Sequence, residues 1–382
     1  LLCIVHLAAA QTPLSGIINQ YASIADINYC ASELTVSAPE NFAVGTDILI
    51  LQMQGATINE SNSSTFGNVE DLGGAGLFER ARIQAINGNV LTLENALVNT
   101  YDLNGAVQIV DIPTYENAEV TATLEPANWD GTTGGVLALE VTGTLTLSAP
   151  ISADGKGFRG GVAEITESNN CNAFVGADDY FYNQNNWRGA AKGEGIARAT
   201  SGREAGRGAQ ANGGGGGNDH NSGGGGGAHL AAAGNGGIND EPRFLGCDGN
   251  FPGIGGKSIP SVGNRNFLLG GGGAGHENND VSTDGGAGGG IIFIKTQTII
   301  GNTQSISARG ENVTEATGGD GAGGGGGGGT ILLDAAAISS ALTINADGGA
   351  GGDIDNNNQD RCHGPGGGGS GGRVLTAVQE NT

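Results

Sequence analysis

The sequence has little positive charge, few aromatic side chains and little proline. Its 382 residues contain 16 Lys and Arg against 39 Asp and Glu, which gives a formal net charge of −23. Because phosphate contacts require clustered Lys and Arg, this balance argues against binding to nucleic acid and against an electrostatic contact with anionic membranes. Only 9 residues are proline and the glycines come in blocks, so the chain is not collagen-like.

Long apolar runs are also missing. A membrane-spanning helix needs roughly 20 consecutive apolar residues, and no stretch of the sequence approaches that length. Residues 1–10 form a short apolar run that ends in small residues. This pattern predicts the remnant of a secretory signal peptide cleaved after Ala10, with a short buried strand or helix start as the alternative. We expect an exported protein without membrane insertion. Because the sequence stops just after a strand-like run begins, we also expect it to be a fragment of a longer protein.

The sequence contains 5 cysteines and no CxxC pair, which argues against a zinc or thioredoxin-like site. Loss of Cys3 with the signal peptide would leave Cys30, Cys171, Cys247 and Cys362, and four cysteines allow three pairings. Because an exported protein can hold disulfide bonds, these four residues are disulfide candidates. Buried free thiols are the alternative.

Residues 11–127 have an ordinary composition and contain short runs in which apolar and polar residues alternate. Asn87-Gly88 lies between two of these runs, and this pair predicts a hairpin because it adopts positive φ easily. Strands this short and this closely spaced predict a small N-terminal β-barrel or β-sandwich.

Residues 128–382 are predicted to form a second, glycine-rich domain built from a repeat. A Gly-Gly pair followed by a strand-like run begins at Gly134, Gly289, Gly328 and Gly371, the last three at spacings of 39 and 43 residues. The first three copies then reach an Ala-Asp-Gly or Ala-Arg-Gly corner, where we expect the glycine to supply positive φ. Each copy alone cannot bury its apolar face, so stacked copies are expected. The predicted fold class is all-β, with solenoid-like parallel strands.

Glycine accounts for 76 residues, and many of them lie in a long insert, 162–287, between the first two copies. The insert contains glycine blocks at 213–217, 223–227 and 270–273. Glycine-rich chain usually forms flexible linkers, but several of these blocks adjoin strands directly. A backbone without side chains can form extended helices with three residues per turn that pack side by side. We predict polyglycine-II-type segments, with ordered irregular loops or disorder as alternatives.

Motifs for metals and cofactors are weak. Gly256-Lys257-Ser258 ends like a phosphate-binding loop, but Phe251 stands where that motif requires its first glycine. Asp353 and Asp355 lie in a stretch that partly resembles calcium-binding repeats. We predict no catalytic residue and no cofactor, and we keep one structural calcium ion at these two aspartates as a hypothesis.

One local cluster combines acids, aromatic residues and a cation: Asp178, Asp179, residues 180–182, Trp187 and Arg188. Glycoside cleavage needs two carboxyl groups that flank the scissile bond. Adjacent residues of a strand point to opposite faces, so we prefer the interpretation in which these aromatic residues anchor the insert. A carbohydrate-active enzyme on a β-solenoid is the alternative.

Three stretches carry a resemblance to a known family: 52–64, 131–147 and 151–161. They are similar to the N-terminal region of very long secreted surface proteins of Bacteroidota, which are exported by the type IX secretion system and include gliding-associated, adhesin-like proteins. The resemblance covers most of the chain and is strongest over 44–161. It implies an extracellular, cell-surface role and no enzymatic activity, since the family offers no catalytic residues to carry over.

Together these patterns predict an extracellular structural or adhesive module, with a filament or appendage subunit as one form. The expected partners are other copies of the chain or cell-surface proteins, and glycans are the expected small ligands. The alternatives to this structural module are a carbohydrate-active β-solenoid enzyme and a glycan-binding module.

Overall fold

The computed structural model describes residues 11–163, 178–184, 186, 188–218, 221–239, 250–260, 269–273, 283–314, 321–354 and 363–376. Within these ranges the chain forms β-strands and two short 3-10 turns, and it contains no α-helix. The predicted all-β class is therefore confirmed. No helix in the described part of the chain is long and apolar enough to cross a bilayer.

The first eleven strands begin near residue 12 and end at residue 124. They are β1 Thr12–Gly16, β2 Tyr21–Asn28, β3 Glu33–Val36, β4 Asp47–Gln52, β5 Thr57–Ile58, β6 Val69–Asp71, β7 Phe78–Asn87, β8 Val90–Leu93, β9 Val107–Asp111, β10 Thr114–Tyr115 and β11 Ala118–Leu124.

Six of these strands close into an antiparallel barrel in the order β2-β3-β8-β7-β4-β9. Its interior is filled by apolar side chains, among them the fully buried Ile48, Ile50, Leu91 and Ile109. The hairpin predicted at Asn87-Gly88 joins β7 to β8, and Gly88 has a φ of +60°. The predicted N-terminal barrel is therefore confirmed. Of the five remaining strands, β5 and β6 pair with each other in a two-stranded sheet, whereas β1, β10 and β11 belong to the larger parallel sheet described next.

The later strands carry the repeat. They are β12 Val136–Leu147, β13 Ile151–Ser152, β14 Ile291–Ile300, β15 Ser305–Ser307, β16 Thr330–Ile338, β17 Thr343–Asn345 and β18 Arg373–Thr376.

Together with β11, these strands form a parallel sheet in the order β17-β15-β13-β11-β12-β14-β16-β18. The four predicted repeat starts stack in register, because Val136 pairs with Ile291, Ile291 with Thr330, and Thr330 with Arg373. Each coil contributes one strand to the row β12-β14-β16 and one to the row β13-β15-β17. The solenoid-like repeat is therefore confirmed, and both free edges of the sheet, β17 and β18, belong to its last coils.

Between the two rows lies a continuous apolar core. Side chains at equivalent positions of successive coils, such as Leu139, Ile294 and Leu333, are stacked and almost fully buried. A second core joins the barrel to the glycine-rich region through Met53, Ile196, Leu269 and other buried residues. The barrel, one face of the repeat sheet and the glycine-rich insert thus share this core.

The glycine-rich segments form polyglycine-II-type bundles. Segments 221–228, 321–329 and 363–372 run side by side, and every third residue of one donates its N–H to every third carbonyl of the next. The N···O distances are 2.8 to 3.1 Å. The N–H groups of residues 322, 325 and 328 donate to the carbonyl oxygens of 364, 367 and 370, and the N–H groups of 364, 367 and 370 donate to those of 221, 224 and 227. The N–H groups of 224 and 227 in turn donate to the carbonyl oxygens of 322 and 325. The donors therefore run in a closed ring around three parallel extended helices with a three-residue period.

Close packing explains why glycine fills these segments. A Cβ atom built on Gly325, Gly326 or Gly367 would lie within 3.0 Å of a carbonyl oxygen of a neighbouring segment, closer than real Cβ atoms come. Close packing, rather than positive φ, also explains the glycines at two of the three predicted repeat corners. Gly155 has a φ of +62°, as expected, but Gly310 and Gly348 lack positive φ and are needed because neighbouring backbone lies against them.

Candidate functional site

The predicted acid and aromatic cluster lies where the glycine-rich insert contacts a loop of the barrel. The Oδ1 atom of Asp179 accepts a hydrogen bond from Asn62 Nδ2 at 2.6 Å, and its Oδ2 atom accepts one from the Tyr182 hydroxyl at 3.2 Å. The backbone N–H of Tyr180 donates to Asn62 Oδ1 at 2.8 Å. Asp178 is exposed to solvent. Asp179 therefore links the insert to the barrel, and the geometry favours the anchoring interpretation.

A buried lysine holds the same contact together, and sequence reasoning did not single it out. The Nζ atom of Lys192 donates hydrogen bonds to the carbonyl oxygens of Tyr180, Gly206 and Gly208, and it lies 4.5 Å from the centre of the Phe66 ring. Burial lowers the pKa of the Lys192 ammonium group well below its usual value. A lone lysine in a run of glycine and alanine was the only signal in the sequence.

Two arginines complete this anchor, which consists of Phe66, Asp179, residues 180–182, Lys192, Arg203, Arg207 and Phe251. The Arg203 guanidinium lies 4.5 Å from the Phe181 ring and forms an ion pair with Glu60 at 3.2 Å. Arg207 lies between the rings of Tyr180 and Phe251, at 5.3 and 5.2 Å. Cations over aromatic rings contribute about 1 kcal/mol each at half-exposed sites. Trp187 lies outside the described residues, and Arg188 is exposed beside the anchor.

An open cleft of about 300 Å³ lies at the repeat corners. It is lined by Asn128, Asp154, Gly155, Lys156, Arg309, Gly310, Glu311 and Asn312. Three of its polar side chains are fixed by backbone hydrogen bonds: Asp154 accepts the N–H of Arg309 at 2.6 Å, Glu311 that of Ala287 at 3.0 Å, and Asn312 that of Ala350 at 2.8 Å. We name this feature the corner cleft. It presents two carboxylates, two cations and two amides, so its formal charges cancel.

Four of the six predicted metal and disulfide residues lie outside the described residues. Asp353 is exposed, and Asp355 lies outside the described residues. The described part of the chain contains no group of three or more His, Cys, Asp or Glu side chains that could hold a metal ion. Cys30 is exposed and free, whereas Cys171, Cys247 and Cys362 lie outside the described residues.

Comparison with known proteins gives little guidance. No protein-family model matches the chain, and no curated protein matches it. Among solved structures, the chain is similar to the tailspike of Acinetobacter baumannii bacteriophage AP22, solved in complex with A. baumannii capsular saccharide. The sequence identity is 11%, the TM-score is 0.19, and the match covers 94% of this chain and 53% of the tailspike chain. The chain thus spans about half the length of that structure, and a TM-score this low carries no argument about function.

Proposed function

We propose that this chain is a rigid, non-catalytic structural and adhesive module of a large extracellular surface protein. The observation that carries the proposal is the closed ring of hydrogen bonds between segments 221–228, 321–329 and 363–372. A flexible linker would not pair every third amide with a fixed partner, whereas a load-bearing support would. Segments 321–329 and 363–372 run directly into the paired strands β16 and β18 of the repeat sheet, which fixes one end of the bundle.

The acidic residues support a non-catalytic role. Asp179 holds a hydrogen-bonded position in the anchor, and Asp178 is its immediate neighbour in the chain rather than an opposing carboxyl group. Retaining and inverting glycosidases instead need two carboxyl groups separated by roughly 5 to 10 Å across the scissile bond. A polysaccharide depolymerisation screen tests this point: we expect no activity, and activity that disappears in Asp178→Asn or Asp179→Asn would favour the carbohydrate-active enzyme.

Particle shape tests the structural role. We propose that the module is secreted to the cell surface, where other copies of itself or cell-surface proteins are its partners. Electron microscopy of the purified chain should show short rods of uniform width, alone or joined into filaments. Irregular particles whose glycine-rich half has no defined shape would contradict a supporting role.

The corner cleft favours glycan binding as a second candidate function. Amide and carboxylate groups fixed by backbone hydrogen bonds lie beside the exposed Arg309 side chain. Together they match the mixed donors and acceptors of sugar hydroxyls, and the cancelled charge suits a neutral glycan. We expect a glycan array to show weak binding that Arg309→Ala removes. Arg82→Ala, which removes a charge from the barrel surface, is the matched control and should leave binding unchanged.

A further inference from the structure

Segment 363–372 has three rows of residues, and two of them donate their N–H groups to neighbouring segments. Residues 364, 367 and 370 are buried and donate their N–H groups to segment 221–228. Residues 366, 369 and 372 donate to the carbonyl oxygens of residues 352, 349 and 346. The third row, Pro365, Gly368 and Gly371, faces solvent. We name this third row the open row.

The amides of the open row donate no hydrogen bond to any residue that the structure describes. In the described part of the chain, no acceptor lies within hydrogen-bonding distance of the N–H of Gly368 or Gly371, and Pro365 has no N–H. The row is also bare. A Cβ atom on Gly368 would come no closer than 3.9 Å to another residue, the carbonyl oxygen of Gly349, and one on Gly371 would meet nothing within 4 Å. The paired glycines of the same segment would all collide at that position.

The carbonyl oxygens of Gly368 and Pro365 accept hydrogen bonds from the N–H groups of Gly234 and Gly237, so segment 234–237 already covers one side of the open row. The N–H side of the row lacks such a neighbour among the described residues. Its donors are three residues apart, a spacing that matches a polyglycine II chain and not a β-strand, whose donors on one edge are two residues apart. The absence of side chains leaves room for a neighbouring backbone to approach as closely as it does inside the bundle. A partner whose side chains point toward the row would be held farther from it than a bare glycine backbone.

We propose that the open row docks an extended glycine-rich segment of a partner protein, which adopts the polyglycine II conformation and accepts hydrogen bonds from Gly368 and Gly371. The inference deepens the proposed structural role and rests on it, because it names the partner of the bundle's exposed face. A second copy does not fit through the same row, since the two rows would place donors against donors. The nearby exposed carboxylates of Asp347 and Asp353 favour basic residues beside the docked glycines.

The first test measures binding of a lysine-flanked oligoglycine peptide to the full chain by amide NMR. The expected result is saturable shifts of the Gly368 and Gly371 amides, with those of Gly325 and Gly367 unchanged. An alanine peptide of the same length and charge is the control and should leave all four amides unchanged. Equal binding of the two peptides would show a merely ionic contact and overturn the proposal.

The second test removes the donors and keeps the backbone. Gly368→Pro with Gly371→Pro places proline where Pro365 already stands in the same row, so the extended conformation is preserved. We expect this variant to keep the interior glycine shifts and to lose roughly tenfold or more of its affinity for the peptide. Gly368→Ala with Gly371→Ala keeps both N–H groups but adds methyl groups, and it should also weaken binding because the approach is blocked. Unchanged binding in both variants would overturn the proposal.

A third test asks whether the open row instead binds a second copy of the chain. Light scattering should show that the proline variant does not change the oligomeric state of the chain. If the wild type forms a dimer that the proline variant loses, and the peptide does not bind, the open row is an interface between copies and the proposal is wrong. Unprotected interior glycine amides in the same NMR spectra would instead defeat the proposed structural function itself, so the two failures are distinguishable.

Discussion

The barrel and the glycine bundle satisfy their backbone hydrogen bonds in opposite ways. In the barrel each strand has two neighbours, and alternate side chains such as Ile48 and Ile50 fill the interior. In the bundle a segment contributes almost no side chain but pairs with more neighbours: segment 221–228 bonds to segments 212–215, 234–237, 253–256, 321–329 and 363–372. The barrel gains stability from apolar burial, whereas the bundle relies on hydrogen bonds and close backbone contacts.

This difference predicts opposite sensitivities to mutation. Glycine loses more conformational entropy on folding than any other residue, about 0.5 to 1 kcal/mol relative to alanine, so an interior glycine is retained only where a Cβ does not fit. The barrel should therefore tolerate added volume at its surface and fail when interior volume is removed. The bundle should fail when a single methyl group is added inside it.

The largest effect is expected from adding volume to the bundle. Replacing Gly325, Gly326 and Gly327 by alanine places three Cβ atoms within 3.0 Å of neighbouring backbone. We expect a loss of more than about 5 kcal/mol, because backbone cannot move aside without breaking the ring of hydrogen bonds. Thermal unfolding measures the effect. Gly371→Ala, where nothing lies within 4 Å, is the control and should change stability by less than about 0.5 kcal/mol. Equal melting of both variants would mean that the glycines are a mere linker.

Removing volume from the barrel should cost less. Ile50 is fully buried in the barrel core, so Ile50→Ala leaves a cavity and should destabilise the barrel by about 2 to 5 kcal/mol. Urea unfolding with region-resolved hydrogen exchange should show lost protection in β4 and β7 before any loss in segments 221–228 and 321–329. Val98→Ala, at a side chain that is 77% exposed, is the matched control. Simultaneous loss of protection in both regions would contradict the separation.

The anchor between the two regions should show an intermediate effect. Lys192→Met removes the donor to three carbonyl oxygens and should cost about 2 kcal/mol. Because burial lowers the pKa of Lys192, the unfolded chain binds this proton more tightly than the folded chain does. The free energy of unfolding should therefore rise with pH up to about 10, near the usual lysine pKa, and the slope should be smaller in the variant. Urea titrations between about pH 8 and 10 measure this, and identical slopes would contradict the assignment.

The smallest effect is expected at the two adjacent acids. Asp179→Asn weakens its bonds to Asn62 and Tyr182 and should cost about 1 kcal/mol. Asp178→Asn, at an exposed carboxylate, should cost less than about 0.5 kcal/mol and is the built-in control. Chemical denaturation compares them, and a larger loss for Asp178→Asn would mean that the anchor has been assigned to the wrong acid.

Sequence patterns predicted the parts of the fold in which side chains carry information. The Gly-Gly starts at Gly134, Gly289 and Gly328 stack because the apolar residues after them repeat in register, and Asn87-Gly88 turns because its backbone conformation is local. Polyglycine-II-type packing was predictable as a type, since a bare backbone has few other ways to become ordered.

The neighbours of each glycine segment were not predictable, because a segment without side chains leaves no pattern that selects its partner. The pairing of segment 221–228 with segment 363–372 depends on where the rest of the fold places these two segments. The same limit applies to the candidate sites. The burial of Lys192, the open row and the corner cleft arise from contacts between distant residues, so only the acid and aromatic cluster was found beforehand.

Hydrogen exchange at individual glycine amides tests the central claim most directly. If glycine serves as a packed structural material, the amides of Gly224, Gly325 and Gly367 exchange far more slowly than those of a free peptide, whereas Gly368 and Gly371 exchange rapidly in the absence of a partner. Uniformly fast exchange at all five amides would contradict the account.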